Sequence, residues 1–166
     1  MRSAGEEVWI RPGHDSDADG FIALMGACWS QYPGVLMDVD GEMPELRALA
    51  SYYAGKGGTL WAAEADGRVV GMIATIPHDA RGTWEICRVY VHPGLHGGGL
   101  GHRLLDVAER YARDAGGGRF VLWSDTRFER AHRFYEKRGY LRQEEVRALH
   151  DISSSLEFGY AKEVLP

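Results

Sequence analysis

Apolar and polar positions along this chain recur in two periods, and the switches between those periods predict its elements. Val8 to Ile10 reads as a short strand and Gly13 as a turn. Asp15 or Ser16 then N-caps a helix that runs to about Cys28, with Phe21, Leu24, Met25 and Cys28 on one face. A second helix is expected to start near Pro44, whose missing N–H has no helical partner in a first turn, and to end before Gly55. Thr59 to Ala65 and Arg68 to Ile76 flank Asp66-Gly67, a dipeptide suited to a two-residue type I′ turn, so the three pieces predict a hairpin. Trp84 to Val91 is a further β-rich run, closed by His92-Pro93-Gly94.

From Leu100 the apolar positions Leu104, Val107, Ala108, Tyr111 and Ala115 recur at helical spacing, while Arg103, Asp106, Glu109, Arg110 and Arg113 supply a polar face. Gly116-Gly117-Gly118 stops this helix. Arg119 to Trp123 reads as a buried strand, Glu129 to Arg138 as a short helix with Gly139 at C′, and Val146 to His150 and Leu156 to Lys162 as two late strands. The order of elements, with three antiparallel-looking strands followed by a strand-helix-strand unit, predicts an α/β sheet with helices on its faces.

Composition narrows the function. With 166 residues, 45% hydrophobic and 26% charged, the chain suits one ordinary soluble domain over residues 1–166. Its two cysteines, Cys28 and Cys87, stand far apart, so neither a disulfide scaffold nor a metal site is expected, and a reducing cytoplasm is the simplest home. The opening MRSAGEEVWIRPG has no apolar core of a signal peptide, and no stretch approaches a membrane span. A formal net charge of -5 argues against nucleic acid, so any anionic ligand must be held by local positive potential.

One segment offers such potential. CRVYVHPGLHGGGLGHRLL, from Cys87 to Leu105, runs strand, turn, glycine-rich loop, helix. Glycines let a backbone approach a ligand, the first N–H groups of a helix lack partners, and the helix dipole adds about half a positive charge there. A pyrophosphate fits that environment. No Gly-Lys-Ser/Thr follows for a P-loop, and G-x-G-x-x-G counted from Gly97 meets His102 at its last glycine.

Glu85-Ile86-x-x-Val89-Tyr90-Val91-His92-Pro93, followed by His96-Gly97-Gly98-Gly99-Leu100-Gly101, resembles the acyl-CoA-binding motif R/Q-x-x-G-x-G/A of the GNAT N-acetyltransferases. His96 stands where Arg or Gln is usual, and Gly99 and Gly101 keep the pattern. Downstream, Ala131 to Tyr140 is similar to the family element A-x-x-x-Y-x-x-x-G-F/Y, with Phe128 where Asn often stands. The resemblance implies a mixed, largely antiparallel twisted sheet of about six to seven strands with about four helices, and acetyl-CoA as co-substrate without a metal. It implies that Val89, Tyr90 and Val91 meet the pantetheine arm and that His96, Gly97, Gly98, Gly99, Leu100, Gly101 and His102 hold the pyrophosphate. Arg88, His102, Arg103 and Lys137 are candidate rim cations.

The implied chemistry is direct attack of an amine on the thioester. An amine with a pKa near 10.4 is free base in only about one molecule in 2,500 at pH 7, a deficit of roughly 4.6 kcal/mol that a general base offsets in part. The resemblance assigns this role to Glu85, with burial beside Trp84 expected to tune it, and assigns the protonation of the departing thiolate to Tyr135. Strand alternation puts Cys87 on the face of Glu85, which leaves an acyl-cysteine route as a competing mechanism. Trp29, Tyr32, Asp38, Asp40, Glu42 and Glu45 form an acidic, aromatic linker suited to a cationic small amine. A protein lysine or N-terminus is the alternative acceptor, a non-catalytic acyl-CoA sensor the alternative function, and a homodimer through a late edge strand an open arrangement.

Overall fold

Asp66 and Gly67 both take positive φ, 49° and 74°, as a type I′ turn demands, and β2 (Thr59–Ala65) and β3 (Arg68–Pro77) pair antiparallel from them. The computed structural model describes residues 7–164, so the first six residues of the opening segment lie outside the description. β1 (Trp9–Pro12) pairs with β2, and β4 (Thr83–Val91) with β3, both antiparallel. The chain crosses through α4 (Leu100–Asp114) and returns as β5 (Arg119–Asp125), parallel to β4. β7 (Leu156–Glu163) pairs antiparallel with β5, and β6 (Leu141–Ala148) closes the edge, giving the order β1-β2-β3-β4-β5-β7-β6. This is the expected mixed, largely antiparallel sheet, with seven strands.

The helices are α1 (Ala18–Trp29), α2 (Val39–Glu42), α3 (Leu49–Gly55), α4 and α5 (Glu129–Lys137). Strand alternation divides the core between the two sheet faces. Met72 and Ala74 join Phe21, Leu24, Met25 and Cys28 of α1, whereas Ile73 joins Leu104, Leu105 and Ala108 of α4. The four α1 side chains are those that the sequence placed on its inner face, and full burial of Phe21, Leu24 or Met25 is worth roughly 1.5–3 kcal/mol. No helix among the described residues is long and apolar enough to cross a membrane.

Four expectations are corrected. Residues Asp15–Asp17 form a 3-10 turn, and α1 starts only at Ala18. Asp15 caps no helix: its carboxylate accepts from the Ser51 backbone N–H at 2.8 Å and from the Ser51 hydroxyl, so a tertiary partner takes what a local cap would have used. The helix foreseen from Pro44 divides into a 3-10 turn, Pro44–Ala48, and α3, with non-helical backbone at Ala48 (φ -149°, ψ 57°), while Leu46, Leu49 and Tyr53 all remain buried. β6 starts at Leu141 and ends at Ala148, every residue exposed, because an edge strand in solvent has no alternation to read.

The fourth correction concerns α4. Leu105 and Ala112 are buried, Tyr111 is 41% exposed, and Glu109 lies inside, 3% exposed, instead of on the polar face. Glu109 accepts from the Tyr140 hydroxyl at 2.7 Å, from Arg138 Nη2 at 2.9 Å and from Lys162 Nζ at 3.3 Å. A buried carboxylate survives when its charge is paired and its oxygens are hydrogen-bonded, and three donors from α5, its C-terminal turn and β7 achieve this.

Candidate functional site

The site begins where two parallel strands stop pairing. β4 meets β5 at Thr83, Trp84 and Glu85, opposite Arg119, Phe120 and Val121, and at no later residue. Met72 faces Tyr90 while Ala74 faces Cys87, so β4 carries one extra residue, a bulge at which Arg88 adopts φ 52°. Beyond Glu85 the sheet therefore opens into a fork. His92 N–H donates to Val70 O at 2.8 Å, and the alternation of an antiparallel ladder turns the N–H and C=O groups of Val89 and Val91 away from β3 and into that fork.

A cavity of about 560 Å³ occupies one side of the fork. Val89, Tyr90, Val91, His96, Gly97, Gly99, Leu100, Gly101, His102 and Tyr135 all line it, so tertiary folding gathers ten of the twelve residues selected from the sequence. Beside it α4 begins at Leu100, and Gly99 in the capping position has no side chain to accept from the first N–H groups of the helix, which are left free of a local acceptor. Gly97 and Gly99 hold φ 83° and 84°, a left-handed conformation that other residues rarely adopt, and a Cβ on Gly101 would lie 3.2 Å from the Phe134 ring. These features suit a pyrophosphate approached by backbone.

Three expected contacts are modified. Gly98 does not line the cavity, because its N–H donates to Leu95 O at 3.3 Å inside the loop. His96 Nε2 lies 3.1 Å from Val91 O, and burial holds its imidazole below its ordinary pKa, so it braces the strand end as a neutral ring. Val91 O also accepts from Cys28 Sγ at 3.3 Å, which leaves the Val91 N–H and the Val89 groups for an arm laid along the strand. Of the rim cations, His102 and Lys137 line this cavity, Arg103 donates instead to Val8 O at 3.1 Å, and Arg88 faces the other side. Arg130 and Arg133 also line it; with Lys137 they recur at i, i+3 and i+7 of α5, a spacing that was available in the sequence and was passed over.

Tyr135 is 6% exposed and packs against Phe134, Tyr140 and Tyr160; burial pushes its phenol up from the ordinary value. Its hydroxyl is therefore held as the neutral, proton-bearing form. Trp29, Tyr90 and Phe128 form the wall shared with a second cavity of about 740 Å³. Trp29 Nε1 donates to the Tyr90 hydroxyl at 3.1 Å, and burial raises the Tyr90 phenol to about 12. Phe128 packs against Tyr32 with centroids 4.8 Å apart and the rings tilted by 45°.

Glu85 lines the second cavity with its side chain 25% exposed, and His78 Nδ1 is 3.9 Å from its carboxylate. It does not lie beside Trp84: alternation sends Trp84 to the opposite face, against Tyr111 of α4. Cys87 Sγ lies 3.6 Å from Glu85 Oε2, and burial, with the Glu85 charge behind it, pushes the thiol pKa far up. A thiol so held is a poor nucleophile, which weakens the acyl-cysteine route.

Of the acidic linker, only Trp29 and Glu42 line this cavity. Asp38 accepts from Gly41 N–H at 3.0 Å, Asp40 pairs with Arg47, Glu45 with Arg88 and Glu42 with Ile152 N–H. The opposite wall comes from Trp123 and Asp125 of β5 and from the β6–β7 connection, which the sequence did not single out. Arg127 grips Asp125 through Nε and Nη2, at 2.9 and 2.8 Å, and donates to Ser153 O and Ser155 Oγ. Ser153 Oγ in turn exchanges hydrogen bonds with Leu36 N–H and C=O. Burial alone would raise the Asp125 carboxyl, yet Arg127 holds it below its ordinary value; Glu157 is raised by burial against its Arg147 partner.

The model of the acetyltransferase (GNAT) family matches residues 22–140, well over half of the chain. An uncharacterized N-acetyltransferase of Mycobacterium tuberculosis is 33% identical over 102 residues, 61% of this chain and 64% of that protein. The mycothiol acetyltransferase of Salinispora tropica is 32% identical over 136 residues, 80% of this chain but 43% of that protein. The chain thus spans less than two-thirds of the curated relatives it matches. Among solved structures, a GNAT-family acetyltransferase of Staphylococcus aureus superposes with a TM-score of 0.82 at 18% identity, covering 96% of this chain and all of that one. The PaiA N-acetyltransferase of Thermoplasma acidophilum, in complex with coenzyme A, superposes with a TM-score of 0.72 at 17% identity, covering 95% and 99%. At such identities the superpositions establish the fold, and together with the family match over residues 22–140 they mean that this chain belongs to the acetyltransferase (GNAT) family.

Proposed function

We propose that the chain transfers an acetyl group from acetyl-CoA to the primary amine of a small molecule, with Glu85 as general base and Tyr135 as general acid. The observation that carries this reading is the meeting of two cavities at the β4–β5 fork, with Tyr135 in the wall of one and Glu85 in the wall of the other. In the narrower cavity the uncapped start of α4 and the cations of α5 suit the phosphates of CoA, and the unpaired backbone of Val89 suits its pantetheine arm. The amine enters from the second cavity and loses its proton to Glu85, directly or through water. Its nitrogen bonds the acetyl carbon, the carbon–sulfur bond breaks, the thiolate takes a proton from Tyr135, and the nitrogen gives up its second proton through water, which restores the tyrosine.

The raised pKa of Tyr135 fits an acid that keeps its proton until a thiolate forms beside it. Thiol release from acetyl-CoA across a panel of amines and peptides tests the reading. Amine-dependent release that falls in both Glu85→Gln and Tyr135→Phe is the expected result. CoA binding with no release on any acceptor points to an acyl-CoA sensor instead, and release on peptides alone to a protein acceptor.

A further inference from the structure

Two cations in the second cavity keep a positive group that no carboxylate of the described residues answers: one nitrogen of Arg88 and the ammonium of Lys56. Arg88 sits at the β4 bulge with φ 52° and donates through Nη2 to Glu45 Oε1 at 2.7 Å, while its Nη1 is buried with no hydrogen-bond partner among the described residues. A guanidinium offers five N–H donors and no acceptor, so a buried unmade donor is costly and calls for an acceptor from outside the chain. Lys56 lines the same cavity, is exposed, and holds its ammonium 5.0 Å over the Tyr52 ring without an ion pair among the described residues. Both side chains line the cavity that Glu85 and Cys87 also line, so both face the strand segment that carries Glu85. Of the carboxylates that line the cavity, Asp125 is engaged by Arg127, Glu157 by Arg147, Asp151 by Ser155 and Glu42 by Ile152 N–H, which leaves Glu85 to face the amine.

We propose that the acceptor bears a carboxylate beside its amine, as an amino acid does, and that Arg88 Nη1 and Lys56 bind that carboxylate while the amine faces Glu85. This deepens the acetyltransferase reading and rests on it. A planar guanidinium recognises a carboxylate better than any neutral group, and two positive charges beside Glu85 favour an acceptor that carries a negative charge next to its amine over a polyamine.

The test measures thiol release from acetyl-CoA with each of the twenty amino acids against its carboxamide and against spermidine. At least one amino acid is expected to have a KM roughly 10- to 100-fold below that of its amide, the range of a charge-assisted hydrogen bond. Lys56→Met, at an exposed position, and Arg88→Lys, which keeps a cation for Glu45, should each raise KM for that amino acid. Neither should change KM for the amide or the affinity for acetyl-CoA. Amides or spermidine used as well as amino acids would overturn the carboxylate site and leave the transferase reading intact. If acetyl-CoA binds but no amine releases thiol, the transferase reading falls. Calorimetric titration of N-acetyl amino acids and their amides into the CoA-loaded protein then decides separately, equal or absent binding of the two overturning the carboxylate site as well.

Discussion

The two cavities of this molecule are built from different materials. The wall that faces the glycine loop is largely backbone: Gly97, Gly99 and Gly101, the uncapped first turn of α4 and the unpaired edge of β4, all within one continuous stretch of chain. The opposite cavity is built from side chains of distant segments, with α3, β4, β5 and the β6–β7 connection each supplying charged groups tied in pairs. A backbone wall tolerates wide change in side chains, provided the glycines remain. A side-chain wall can be retuned one residue at a time, which is where selectivity among amines would be set.

Substitutions can break this division at either wall. Glu85→Gln is expected to have the largest effect, a fall in kcat of roughly 100- to 10,000-fold with acetyl-CoA affinity unchanged, measured by steady-state kinetics and calorimetry. Gly99→Val forces a β-branched residue into φ 84° and should cost about 1–3 kcal/mol, read as roughly 10- to 100-fold weaker acetyl-CoA binding with little change in acceptor KM among surviving turnovers.

Asp125→Asn should unsettle the side-chain wall alone, lowering unfolding free energy by about 1.5–3 kcal/mol in denaturant titrations near neutral pH. Because Arg127 holds the folded carboxyl below its unfolded value, its contribution is present above about pH 4 and is lost as pH falls through the folded pKa. Wild type and variant should therefore converge in stability on acidification, and a gap that persists at about pH 2 would mean that the pair acts by packing instead of charge. Trp29→Phe, at the partition, should have the smallest effect, about 0.5–1.5 kcal/mol of stability from the lost hydrogen bond to Tyr90, with modest changes in KM for both substrates.

The same contrast explains what was legible in the residues. The type I′ hairpin at Asp66-Gly67, the inner face of α1 and the glycine turn before α4 are local, set by propensity and by positions a few residues apart. Arg127, Ser153 and Leu36 meet across more than a hundred positions, and no periodicity announces such a contact. Glu109 was placed on the wrong face because a charged residue in a helical pattern reads as solvated; only Arg138, Tyr140 and Lys162, brought together by folding, make its burial affordable. Arg88 read as one more candidate rim cation until the β4 bulge turned its side chain into the second cavity.

By itself, then, the sequence determined the order of strands and helices, the glycine turn and helix start suited to a pyrophosphate, and ten of the residues that line one cavity. These follow from backbone conformations that each residue dictates within its own neighbourhood. The tertiary structure decided the parting of β4 from β5 after Glu85, the opposite facing of Trp84 and Glu85, and the pairing that leaves Arg88 Nη1 and Lys56 without partners among the described residues. Such outcomes depend on which distant charges reach one another and which are left over, a competition settled only when the whole chain has packed.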